Sequence, residues 1–105
     1  MITNKIADKL FNSDYIKGLY PMIDRIETHV VSDGDEEFPF YTLFIMVRLN
    51  DPSINSNNMY EKGFDPHYLI HTHLKFMMKM AGVNTREIIQ ISILVRNPDG
   101  DIIYG

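Results

Sequence analysis

Three of the chain's four histidines, His67, His71 and His73, fall within seven residues, directly after Asp65 and Pro66. His67 and His71 are four apart, which puts both imidazoles on one face of a helix, the spacing of a two-histidine metal site. Asp65, or a distant carboxylate such as Glu61, would supply a third ligand. A hydrolytic zinc site also wants a glutamate between the histidines as base, but Tyr68, Leu69 and Ile70 stand there. His73 is turned about 200° from His71 around a helix, so the three rings cannot converge on one ion. Lys75 adds positive charge one turn beyond His71, where a metal needs the opposite. The fourth imidazole, His29, sits on a strand face shared with Arg25 and Glu27. The first reading is therefore a helix with a wet, mildly basic face. A metal-dependent or acid–base hydrolase using His67, His71 and Asp65 is the alternative.

Other chemistry finds less support. Without cysteine there is no disulfide, thiolate nucleophile or cysteine-bound zinc. No serine lies in a Gly-x-Ser-x-Gly turn, and no glycine-rich phosphate loop precedes a helix. Asp33, Asp35, Glu36 and Glu37 lack calcium-loop spacing and read as a solubilising turn. Such a turn could also dock a basic partner surface or mimic phosphates. No catalytic residue and no cofactor are assigned.

Residues 1–105 are read as a single domain, with 45% hydrophobic and 11% aromatic residues to form a core. The net charge of −4 steers nucleic acid away, and Lys75, Lys79 and Arg86 are its only candidate contacts. The first ten residues lack the apolar core of a signal peptide. No run approaches the roughly 20 apolar residues of a membrane span. The expected location is cytoplasmic, or the intracellular phase or virion of a phage. Fourteen isoleucines and eight asparagines fit an A/T-rich coding sequence of bacterial or phage type.

These residues must be positioned by a few elements. A helix is predicted from about Asn4 to Asn12, capped by Thr3 or Asn4, with Ile6, Ala7, Leu10 and Phe11 on its apolar face. Ser13 and Asp14 start a second turn carrying Tyr15, Ile16 and Leu19, or a bend in the same helix, and Pro21 ends it. From Met22 to Val31, Ile26, Thr28 and Val30 alternate with Arg25, Glu27 and His29, as in a half-buried strand. Between Phe38 and Leu49, Tyr41, Leu43, Ile45, Val47 and Leu49 share one face, and Phe40, Phe44 and Met46 the other. Asn50 to Asn58 reads as a long loop. Asp65 and Pro66 open a helix to Met80, with Leu69, Ile70, His73, Leu74, Phe76, Met77 and Met80 inward. Ile88 to Val95 is a third strand, Asn97-Pro98-Asp99-Gly100 a turn, and Asp101 to Tyr104 a fourth strand.

The expectation is an α+β, two-layer fold in the order α-β-β-α-β-β. It has a four-stranded, mainly antiparallel sheet with two helices on one face. Helices can hide only one side of the second strand, so Phe40, Phe44 and Met46 form the expected partner interface. A bent strand, or the loop of residues 50–58 folded over them, is the structural alternative. The expected function is non-enzymatic protein–protein interaction by a small assembly, adaptor or regulatory subunit, with a protein partner or by self-association. Nucleic-acid association is a further, disfavoured alternative, and no membrane partner is expected.

Overall fold

Ser13 divides the N-terminal helical stretch in two. Its hydroxyl accepts a hydrogen bond from Ile16 N at 3.4 Å, capping α2 (Asp14–Leu19) immediately after α1 (Asn4–Phe11). The chain is seen in a computed structural model that describes residues 4–34, 37, 39–82 and 88–105. For residues 4, 6, 7, 10, 33, 34, 39, 40, 88 and 89 only the backbone is described. The predicted Thr3 cap, the roles of Asp35, Glu36, Phe38 and Arg86, and the side chains of Ile6, Ala7, Leu10 and Phe40 lie outside the described residues.

Four strands form one mixed sheet in the order β1 (Ile23–Gly34), β2 (Pro39–Leu49), β3 (Ile88–Arg96), β4 (Ile102–Tyr104). The β1–β2 and β3–β4 pairs are antiparallel, but β2 and β3 run parallel. Two of the three pairings are thus antiparallel, as expected, while the central one is parallel and makes the sheet mixed. The chain leaves β2 at Leu49, crosses through a loop and a helix, and re-enters the sheet at the end where β2 began. Parallel neighbours require such a crossover.

The crossover helix, α3, runs over residues 66–80 and is not uniform. A first turn, Pro66–Tyr68, leads into a π-helical stretch, Leu69–Leu74, and then an α-helical end, Lys75–Met80. Wider π turns hold the buried stripe at every fourth residue: Pro66, Ile70, Leu74 and Met78, joined by Leu69. The uniform 3.6-residue period predicted from sequence would have turned Phe76 and Met80 inward. Instead they are 59% and 72% exposed, and Met78 takes the buried place.

The core lies on one side of the sheet. Leu43, Ile45, Val47 and Leu49 of β2 join Ile23, Ile26 and Val95 of the flanking strands. Phe11, Ile16, Leu69, Leu74 and Met78 meet them from three helical segments, where two helices had been expected. The loop after β2 also faces this core. Ile54, Met59 and Phe64 are buried in it, each for about 1.5–3 kcal/mol of apolar transfer. Short polar side chains fold the loop: Asp51 Oδ1 accepts from Ser53 N and Oγ at 2.8 and 2.6 Å, and Asn58 Oδ1 accepts from Asn55 N at 2.7 Å. The Ser53 hydroxyl holds the Asp51 carboxyl below its ordinary range. The loop is thus spent on the helix side and leaves Phe44 and Met46 on the opposite face uncovered.

Candidate functional site

The histidine helix begins as predicted. The Asp65 carboxylate accepts from His67 N at 3.0 Å and Tyr68 N at 3.2 Å, with Pro66 in the first turn. Both bonds fall on Oδ1, which turns the carboxylate toward the helix start. The His67 and His71 rings stack, with centroids 5.7 Å apart and planes at 11°, and the edge of Tyr104 meets His67 at 6.1 Å. Burial first, then Lys75 and His67, lowers the His71 pKa. Among the described residues, no group of three or more His, Cys, Asp or Glu could hold a metal ion. The structure thus brings His67 and His71 together and leaves Asp65 on the backbone.

His73 is half-buried and makes a different set of contacts. Rings of Tyr15, Tyr20 and Tyr68 stand edge-on to it at 6.0, 5.7 and 5.3 Å. Burial first, and then Tyr68, Asp65 and Tyr15, raises the Tyr20 phenol. This tyrosine box was not visible in the sequence, because α2 and α3 had no predicted relative position. It packs the two helices together through ring edges.

The side of the sheet away from the helices has no covering layer among the described residues. Phe44 and Met46 are 40% and 38% exposed there, beside His29, Ser92 and Leu94, in a shallow depression of about 420 Å³. The strand alternation predicted for β2 holds for these two: Leu43, Ile45 and Val47 are buried, and Phe44 and Met46 face out. Phe40 is placed only by its backbone, opposite Asp33.

Three arginines close one end of this face. Arg25 pairs with Arg48 across β1 and β2, and Arg48 with Arg96 across β2 and β3. Residues paired across strands project to the same side, so the three form a row, and with Glu27 and Met46 they line one depression. Arg25 forms an ion pair with Glu27. Arg48 donates to Pro98 O and Arg96 to Gly100 O, both at 2.8 Å. The sequence showed each arginine near one end of its strand. Only the register reveals that they share a row.

The helix layer carries a second apolar patch, formed by Tyr15, Phe76, Met77, Met80 and Ala81. No function is assigned to it. Among the described residues no helix is long and apolar enough to cross a membrane. No protein-family model, curated protein or solved structure matches the chain.

Proposed function

We propose that the chain works without catalysis, as a small assembly, adaptor or regulatory subunit that docks a protein surface on the uncovered side of its sheet. The observation that carries this reading is the exposure of Phe44 and Met46 on a central strand, amid the partly apolar surface of His29, Ser92 and Leu94. Apolar side chains gathered on a central strand's outer face lose water contact only when another surface covers them. An aromatic ring at the centre of such a patch, with charged groups at its margin, is the usual anatomy of a protein contact.

The histidine pair gives less support to the hydrolase alternative. Its intended third ligand, Asp65, is engaged by two backbone N–H groups.

Phe44→Ser tests the docking role. The variant should still fold, with an unfolding midpoint modestly below the parent's, since the ring is 40% exposed and lies outside the core cluster. It should also lose association in sedimentation or light scattering, whether with its own copies or with a native partner. A parent that is strictly monomeric at high micromolar concentration, with a Phe44→Ser variant that still binds every native partner, would overturn the reading.

A further inference from the structure

Resting on that docking role, the geometry points to an acidic, amphipathic helix of a partner protein as the occupant of the open sheet face. The helix lies along the strands, with its apolar stripe on Phe44 and Met46 and its carboxylates over Arg25, Arg48 and Arg96. Two observations favour a helix. First, β2 and β3 run parallel at the centre of the sheet, and parallel neighbours are ordinarily covered on both faces. Here the helical segments and the crossover loop join the core on one side, while Phe44 and Met46 stay exposed on the other. Second, the face is three long strands wide, about 10 Å between the outer two at the usual spacing, which matches the width of one helix with its side chains.

The arginine row supplies the charge. All three guanidiniums belong to exposed residues. Among the described residues Arg25 meets the Glu27 carboxylate, and Arg48 and Arg96 each meet one turn carbonyl. A guanidinium carries five N–H donors, so most of the row's donors face solvent. Glu27 shows that the row seats a carboxylate; Arg48 and Arg96 have only neutral oxygens and lie in register, where like charges repel. Carboxylates from a partner would fill the free donors and relieve that repulsion, because the planar fork matches their two oxygens. The net charge of −4 disfavours a long polyanion such as nucleic acid, whereas a few carboxylates on a helix need only the local row.

The register also gives the partner a direction. Successive rows across the strands carry Phe44, Met46 and Arg48 on β2, so positive charge stands at one end of the apolar patch. Phe44 and Arg48 are about 13 Å apart at the usual strand rise, which equals about nine residues of helix. The partner helix therefore carries its carboxylates about two to three turns from the apolar side chain that meets Phe44. Attraction at that end should make the contact salt-sensitive over the Debye range.

Peptide selection tests the assignment. The folded chain is panned against a phage-displayed library of random peptides about 20 residues long, enough for a helix that spans the face. It should enrich sequences with apolar residues at helical spacing and Asp or Glu clustered about two to three turns to one side. Fluorescence anisotropy of the tightest selected peptide then reads affinity, with circular dichroism as the folding control. Arg48→Gln with Arg96→Gln should weaken binding at least about tenfold, as should Phe44→Ser. Glu27→Gln, which removes the row's own carboxylate, should tighten it about threefold. Should the double arginine variant fail to fold, the selected peptide with its acidic residues changed to Lys replaces it and should bind the parent at least about tenfold more weakly. Enriched peptides without an acidic cluster, or with apolar residues at alternate positions as in a strand, would overturn the acidic helix while leaving the docking face intact. A single-stranded oligonucleotide that binds more tightly than the peptide, through the same arginines, would also overturn it. So would a parent chain that enriches no peptide, whether monomeric or self-associated through Phe44. A selected peptide that binds Phe44→Ser as tightly as the parent would instead remove the docking role itself, and the helix with it.

Discussion

Arg48 lies directly opposite Arg96 in the parallel β2–β3 pair, and both guanidiniums reach the same turn, donating to Pro98 O and Gly100 O. Two like charges in register oppose folding by a few tenths to about 1 kcal/mol, and one exposed hydrogen bond returns a similar amount. The Arg48→Gln variant should therefore unfold within about 0.5 kcal/mol of the parent in urea. A clear loss of stability would mean that the row serves folding rather than contact.

The Asp65 carboxylate satisfies two backbone donors at the start of α3. Asp65→Ala should cost about 1 kcal/mol, and Asp65→Ser should recover most of it. Urea or thermal unfolding reads this directly. An alanine variant as stable as the parent would mean that other groups satisfy the helix start.

Asn12 ties the helix layer to the sheet. Its Oδ1 accepts from Ile26 N at 2.9 Å and its Nδ2 donates to Ile26 O at 2.7 Å, so the side chain pairs with β1 as another strand would. Asn12→Ala leaves both groups of Ile26 without this partner and should cost about 1–3 kcal/mol. Asn12→Asp should also destabilise, because a carboxylate cannot donate to the Ile26 carbonyl. If both variants unfold with the parent, water replaces the side chain without cost.

The Asn12 pairing marks where sequence reading stops. Helix and strand identities were legible because apolar residues recur at periods near 3.6 and 2, and because Ser13, Asp65, Pro66 and Asn97–Gly100 punctuate the chain. The alternation in β2 announced the exposure of Phe44 and Met46. The parallel β2–β3 pair was not legible, since strand direction depends on where a 38-residue crossover returns. The π turns over Leu69–Leu74 were hidden too, because periodicity assumes a uniform helix. They shifted Phe76 and Met80 outward. The arginine row needed the register, which no local signal carries.

The lowered pKa of His71, caused by burial and then Lys75 and His67, has a sign that can be checked. The folded chain binds this proton less readily than the unfolded chain does. Stability is therefore full above the ordinary histidine value, near 6.5, and falls as pH drops through it toward the lower folded value. Urea midpoints between pH 8 and pH 5 should fall further for the parent than for His71→Gln. Equal declines would show that His71 titrates alike in both states.

Methionine oxidation tests the docking face most directly, because the chain carries a reporter on each competing surface. Met46 lies on the open sheet face at 38% exposure, and Met80 on the helix side at 72%. Peroxide oxidation followed by mass spectrometry gives the rate at each site, in dilute protein, in concentrated protein and in the complex isolated from the native host. The docking role predicts that Met46 becomes protected on association while Met80 keeps its dilute-protein rate. Protection of Met80 with Met46 unchanged would contradict it and move the contact to the helix layer.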